Sequence, residues 1–201
     1  MQFIVATHNA KKLVELSRIL EPLHIDAVTD RDCGIALTEV EETGTTFEEN
    51  AFLKAASACR ESGLPAIADD SGLMVDALDG APGVYSARYA GENATDADRI
   101  EKLLRELDGV QPENRGARFV SVVCCVFPNG DTLYARGECP GSVGFAPLGN
   151  GGFGYDPVFV VDGGRTYAEL TAQEKDAVSH RGHALRLFQD KLLEYLKAES
   201  V

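Results

Sequence analysis

With 201 residues, 44% of them hydrophobic and 25% charged, the chain has the size and composition of a globular domain, which excludes fibrous and disordered classes. Its net charge of −13 argues against a nucleic-acid polymer as partner, because such binders carry a basic face, yet it leaves room for a small anion met by a few local cations and a metal ion. Five cysteines without C-x-x-C spacing, no window of transmembrane length and no cationic lead before Phe3–Ala6 predict reduced thiols in a cytoplasmic protein with no membrane partner.

In chain order, Gln2–Ala6 reads as a short buried strand and Thr7–Lys12 as a polar turn. A helix follows, with Leu13, Leu16 and Leu20 on one face. Residues 24–41 are short β-leaning pieces. Thr46 with Glu49 forms a capping box that opens a second helix, whose apolar face is predicted as Phe52, Ala55, Ala56 and Cys59. Gly63 and Pro65 end it. Ala66–Ala68 is predicted as a strand leading into Asp69–Asp70, and Gly72–Leu78 as another strand. Residues 79–91 are left irregular. Thr95 with Asp98 opens a third helix, with Ile100, Leu103, Leu104 and Leu107 inward. Ala117–Phe127 and Asp131–Glu138 flank Pro128–Asn129–Gly130, a hairpin signal. Gly141–Ala146 is a candidate third strand of that group. A glycine-rich loop, Leu148–Asp156, precedes a strand at Pro157–Val161. Thr171 with Glu174 caps a short helix, and the last helix covers roughly 181–198, with Leu185, Phe188, Leu192 and Tyr195 as its stripe. Strands interspersed with helices, plus one evident hairpin, predict an α/β fold with a mixed sheet in one domain spanning 1–201.

Asp69–Asp70–Ser71–Gly72 is the most informative stretch. Adjacent carboxylates repel and raise each other's pKa, and a divalent cation such as Mg²⁺ removes that cost through hard oxygen ligands. Thr7, His8, Asn9, Ala10, Lys11 and Lys12 follow a strand and open a helix. That is a place where backbone N–H groups attract phosphate, although the glycines of a P-loop are missing. An ordinary turn with Asn9 as helix cap accounts for the same residues. Glu39, Glu41 and Glu42 form either a solvated loop face or further metal ligands. In Gly149–Asp156, four glycines permit close approach of a ligand, Phe153 can stack on a base and Asp156 can accept from a ring N–H; a loop tucked into the core is the structural alternative. Ser179–His180–Arg181–Gly182 precedes the last helix, with Lys175 about one turn upstream and Lys54 on the second helix. Ser71 lacks the G-x-S-x-G surroundings of a nucleophilic serine. Together these segments point to a metal-dependent enzyme acting on a nucleoside triphosphate.

The order of these motifs resembles the inosine triphosphate pyrophosphatase family. The resemblance runs from Ala6–Thr7–His8–Asn9 with Lys12 and Glu15, through Glu41–Glu42–Thr43–Gly44, Thr46–Phe47 and Glu49–Asn50–Ala51, to Lys54–Ala55 and Ala66–Leu73. It continues through Gly80–Gly83, Tyr85–Tyr89, Gly151–Pro157 and Ser179–Gly182. The resemblance implies Mg²⁺-dependent hydrolysis of non-standard purine nucleoside triphosphates (ITP, dITP and XTP) to the monophosphate and pyrophosphate. It implies an α/β fold with an elongated mixed β-sheet flanked by helices and two lobes with a central cleft, in a homodimer. It assigns Glu41 and Asp70 to the metal and makes Asp70 the general base. Thr7 to Lys12 and Lys54 would hold the triphosphate, and Ser71 would contact substrate. Phe153, Gly154, Tyr155, Asp156, Lys175, His180 and Arg181 would form the nucleotide pocket. His8 stands where some relatives have glycine. Two other functions fit the same residues: a pyrophosphatase for another modified nucleotide, and a non-catalytic nucleotide-binding module, against which the paired acids weigh.

Overall fold

The computed structural model describes residues 1–7 and 10–199. Strand β1 (Gln2–Val5) leads to helix α1 (Ala10–Leu20), strand β2 (Asp26–Val28), helix α2 (Phe47–Ser62) and strand β3 (Ala66–Val75). Helix α3 (Asp96–Glu106), strands β4 (Gly116–Val126), β5 (Thr132–Val143) and β6 (Phe159–Val160), and helices α4 (Ala172–Val178) and α5 (His180–Glu199) follow. The sheet order is β2-β1-β3-β4-β5-β6. β1 runs parallel to both neighbours, with Ile4 opposite Ala66, whereas β6 is antiparallel to β5, with Val143 opposite Phe159. The sheet is therefore mixed, as the interspersed strands and the hairpin predict. That hairpin closes through the Phe127 N–H, which donates to Asp131 O at 2.9 Å.

Local chemistry starts the helices where the sequence says it should. Thr46, Thr95 and Thr171 each accept a hydrogen bond from the backbone N–H three residues on, and Glu49, Asp98 and Glu174 reach back to complete each box. α2 stops at Gly63, whose φ of 69° suits glycine.

Several expectations are corrected. Ala66–Ala68 and the segment from Gly72 form one ten-residue strand, so Asp69 and Asp70 lie in its interior and not at its end. The strand passes through the acids because lysines from two helices meet them, as described below. α1 begins at Ala10, which places Lys11 and Lys12 in its first turn. α2 turns Phe47, Ala51, Ala55 and Ala58 inward and leaves Phe52 exposed. Its alanines supply two overlapping apolar stripes, and the large Phe47 side chain at the capped end decides between them. The segment from Gly141 continues β5 as far as Val143, residues 83–88 form a 3-10 turn, and β6 shrinks to two residues.

The chain divides into two compact units. The first takes Met1–Asp70, Ser121–Gly137 and the chain from His183 onward. Its core joins Phe3 and Val5 of β1, Leu16 and Leu20 of α1, Ile67 of β3, Val123 of β4, and Leu185, Phe188 and Leu192 of α5. The second takes Ser71–Val120 and Glu138–Gly182. Its core joins Leu73 and Val75 of β3, Ile100, Leu103 and Leu107 around α3, and Phe119, Phe159 and Tyr167. Within it, buried Arg115 donates to the carbonyls of Leu107, Val143 and Gly144, each at 2.8 Å. All five cysteines are free thiols; burial pushes Cys124 up to about 12 and Cys125 well above its ordinary value, so both are inert. No described helix is long and apolar enough to cross a membrane.

The orientation of α2 is testable. Phe47→Ala should lower the unfolding free energy by about 3 kcal/mol, a typical loss for a buried phenylalanine. Phe52→Ser should change it by less than about 1 kcal/mol, as expected of a surface position. Urea titration of both variants measures the difference.

Candidate active site

The residues expected at the site fall into two sets of side chains, one in each unit. In the first, α1 projects Lys12 so that its Nζ lies 2.8 Å from Asp69 Oδ2. α2 projects Lys54, whose Nζ lies 2.6 Å from Glu42 Oε1 and 3.7 Å from Asp70 Oδ1. Asp69 and Asp70 are both buried. Thr7 lies two residues beyond β1; the Ala6 N–H between them pairs with β3, donating to Ile67 O at 2.8 Å. His8 and Asn9 lie outside the described residues, as do the side chains of Ala10 and Lys11.

Burial drives the Asp70 carboxyl above its ordinary range; Lys54 opposes the rise, Glu42 adds to it, and Asn50 and Lys12 oppose it further. Burial by itself would lower Lys54, but Asp70, Asp69 and Glu42 outweigh it and hold the ammonium above its ordinary value. Two ammonium groups thus face three carboxylates in a desolvated place.

Of the two neighbouring glutamates, Glu42 is half-buried against Lys54, whereas Glu41 is exposed. The turn that carries them is pinned to α2 by Asn50, whose Oδ1 accepts the Gly44 N–H at 2.8 Å. A Cβ on Gly44 would lie 2.6 Å from that oxygen, so only glycine lets the turn dock this closely. Asn50 is a residue to which the sequence reading gave no role. An asparagine inside a helix favours alternatives to the helix backbone, and that was the available signal.

Among the described residues no group of three or more His, Cys, Asp or Glu side chains forms a cage for a metal. The donors present are hard carboxylate oxygens in a desolvated, net anionic place. They fit an ion such as Mg²⁺, which takes one or two carboxylates and completes its shell with water and phosphate oxygens.

The second set is built on the glycine-rich loop. Asp156 is buried, and its Oδ2 accepts the Phe153 N–H at 2.9 Å and the Lys175 ammonium at 2.6 Å. A Cβ on Gly152 would fall 1.9 Å from that oxygen, at a φ of +74°, which makes this glycine obligatory. Tyr155 is buried and donates its hydroxyl to Ser86 O at 2.9 Å; burial raises its pKa far above the ordinary value. Phe153 is half-exposed. Lys175 Nζ stands 5.0 Å and Arg181 Cζ 5.9 Å from its ring centroid, within cation–π range.

Ser179 caps α5 by accepting the Gly182 N–H at 3.1 Å, which fixes His180 and Arg181 in the first turn. Arg181 Nη2 donates to Ser71 Oγ at 3.3 Å. The His180 ring stacks on Phe119 of β4, with centroids 4.7 Å apart and planes 12° from parallel. Phe119 lies in the segment expected as a strand, and nothing in the sequence marked it as the partner of His180. The structure thus brings together Lys12, Lys54, Glu42, Asp69 and Asp70 in one unit, and Ser71, Phe153, Asp156, Lys175 and Arg181 in the other.

Residues 3–191 match the Ham1 family model. The chain belongs to the Ham1 family. It is 47% identical to the dITP/XTP pyrophosphatase of Brucella melitensis, across 98% of this chain and 96% of that protein. It is 53% identical to the dITP/XTP pyrophosphatase of Nocardia farcinica, across 91% of this chain and 90% of that protein. A solved Ham1 protein from Coxiella burnetii superposes with a TM-score of 0.90 at 44% identity, across 96% of this chain and 99% of its own. The Ham1 match spans both side-chain sets, so the α/β fold with its mixed sheet is that of the family.

The strain at Asp70 has a consequence for stability. The folded protein raises this carboxyl above its ordinary value of 3.8, so below 3.8 it is protonated in both folded and unfolded states and carries no penalty. As pH climbs from 3.8 through the folded value the penalty grows, and above the folded value it is complete. Asp70→Asn should therefore raise the Tm of metal-free protein at neutral pH, with Lys54 still paired to Glu42, and the gain should fade below 3.8. Calorimetry with chelator at the two pH values reads it; a lower Tm at neutral pH would contradict the argument.

Proposed function

We propose that this protein hydrolyses non-standard purine nucleoside triphosphates (dITP, XTP and ITP) to the monophosphate and pyrophosphate, with residues 1–201 acting as one pyrophosphatase domain. The observation that carries this reading is the buried Asp69–Asp70 pair countered by Lys12 and Lys54. A set of ammonium groups and carboxylates this close, and short of full charge balance, is suited to exchange partners when phosphates arrive.

In this reading Lys12 and Lys54, with the helix-opening segment Thr7 to Lys11, take the triphosphate. Each lysine leaves a carboxylate for a phosphate oxygen. Asp70 orients the attacking water and accepts its proton; the burial that raises its pKa makes it a stronger base than a solvated carboxylate. Pyrophosphate leaves as the water oxygen bonds to the α-phosphorus. Glu41 and Asp70 would hold Mg²⁺, with Glu42 beside them, and the ion when bound would neutralise phosphate charge.

Phe153 offers its face to the purine, held by the carboxylate clamp of Asp156. Arg181 and Lys175 are donors suited to the 6-oxygen of hypoxanthine or xanthine. Adenine presents an amino donor there, and a donor facing a donor is rejected strongly in a desolvated pocket. His180, Gly154 and Tyr155 complete the base-side set, and Ser71, bound by Arg181, contacts substrate. The family resemblance supports a homodimer, to be read by light scattering as twice the chain mass; a sequence without a window of transmembrane length suits a cytoplasmic place.

A panel of purine and pyrimidine triphosphates, assayed for pyrophosphate with and without chelator, tests the activity. dITP and XTP should dominate and chelator should abolish release. Preference for a modified pyrimidine would redirect the substrate, and binding without pyrophosphate would remove catalysis. Asp70→Asn should lower kcat by about a thousandfold while the protein stays folded. Phe153→Ala should raise KM by about tenfold with a smaller change in kcat, consistent with loss of stacking.

A further inference from the structure

The turn that presents Phe153 has a donor that the turn itself leaves without an acceptor. Residues 153–156 close through the Asp156 N–H, which donates to Phe153 O at 3.2 Å. In such a turn the N–H of the second residue points outward and needs a partner from elsewhere. Here that residue is Gly154, at a φ of +60°. Its N–H donates to Asp96 Oδ2 at 2.7 Å, a contact 58 residues away in sequence, made from the first turn of α3.

Asp96 is itself held. Its Oδ1 accepts from Arg99 Nη1, one helical turn further on, and Arg99 Nη2 donates to Ala94 O at 2.6 Å, just before the helix. The carboxylate is therefore aimed by a guanidinium anchored at both ends of the helix opening. The helix does not need Asp96 as its cap, because Thr95 and Asp98 already form the box. Helix capping explains Thr95 and Asp98, and leaves the Asp96–Gly154 bond unaccounted for.

We propose that Asp96 is a positioning residue for nucleotide binding, which tethers Gly154 and thereby sets the direction in which Phe153 presents its ring. This rests on the reading of Phe153 as the purine platform. With Asp156 holding the Phe153 N–H and Asp96 holding the Gly154 N–H, the amides on both sides of the Phe153 Cα are fixed by carboxylates. Only the side-chain torsions of Phe153 remain, and Lys175 and Arg181 stand beside that ring. The two clamps come from different places: Asp156 lies inside the loop, whereas Asp96 belongs to a helix whose Ile100 and Leu103 are in the core of the same unit. A charge-assisted bond from a rigid helix is a strong restraint for a glycine whose own backbone has little preference. The Asp96 side chain is about half exposed, 47%, so its removal leaves folding nearly intact.

The experiment uses the full chain with Asp96→Ala and Asp96→Asn, each alone and Asp96→Ala also combined with Phe153→Ala. Asp96→Ala should raise KM for dITP by about tenfold with kcat within about twofold, the size expected for loss of one charge-assisted hydrogen bond that acts on binding. Asp96→Asn keeps one acceptor oxygen and should fall between Asp96→Ala and the unaltered protein. On the Phe153→Ala background, Asp96→Ala should add no further rise, because its effect passes through that ring. Amide hydrogen exchange without nucleotide should quicken at Gly154 in Asp96→Ala while Tm stays put. An unchanged KM, a rise that multiplies on the Phe153→Ala background, or unchanged exchange at Gly154 overturns the proposal. Protein that leaves dITP and XTP intact but loses Gly154 protection in Asp96→Ala would sink the substrate reading while the tether stands, so the two failures are told apart.

Discussion

The arrangement rests on two buried carboxyl groups held inside a β-strand. A strand interior offers side chains a defined direction, and it is a poor place for charge. Asp69 and Asp70 are tolerated there because Lys12 and Lys54 reach them from the first turn of α1 and the middle of α2. Each helix is in turn fixed by apolar packing: Leu16 and Leu20 bury α1, and Phe47, Ala51 and Ala55 bury α2. The energetic surplus of those contacts sustains a group of charges that is not itself at its most stable arrangement. Asp70, pushed up by burial and only partly compensated by Lys54, records that tension. Such tension is expected where a protein keeps groups ready for a ligand, and stability is supplied elsewhere.

A second device recurs at three turns. A short polar side chain captures one backbone N–H and so converts a flexible loop into a defined shape. Asn50 does this for Gly44 and the glutamates before it. Asp156 does it for Phe153, and at the same time holds the Lys175 ammonium. Asp96 does it for Gly154. In each case the captured amide belongs to, or adjoins, a glycine, the residue whose backbone offers the widest choice and gains most from restraint. The same chemistry starts α2, α3 and α4, where the reciprocal boxes of Thr46, Thr95 and Thr171 serve only the helices. The shared chemistry hides the distinction: in a single sequence, an acid that caps a helix and an acid that clamps a ligand loop are the same letter.

The second unit shows how packing separates buried from exposed rings. Phe119, Phe159 and Tyr167 are buried together, and His180 joins them as a stacked ring. Phe153 remains half-exposed with two cations beside it, Lys175 and Arg181. A buried ring stabilises by area removed from water; an exposed ring flanked by cations is preorganised for a flat, electron-rich partner. The capping of α5 by Ser179 holds His180 and Arg181 in its first turn.

Much of this was legible in the letters alone. The capping boxes, the Gly63 stop, the Asn129–Gly130 hairpin and the stripe Leu185, Phe188 and Leu192 depend on neighbours within a few positions, and each formed as read. The order of motifs from Thr7 to Arg181 was enough to point to the family, since each motif is a local pattern. Three-dimensional packing made the decisions that depend on distant partners. It joined two expected segments into β3, because lysines from two other elements made two interior acids tolerable. It chose Phe47 over Phe52 on an alanine-rich helix with two usable faces. It brought Glu42 against Lys54 while Glu41 stayed exposed, and it gave Asn50, Asp96 and Phe119 their partners. Short-range order follows from propensity and hydrogen bonds between near neighbours; which charge meets which, across 50 or more residues, follows only from where the packed core leaves each side chain.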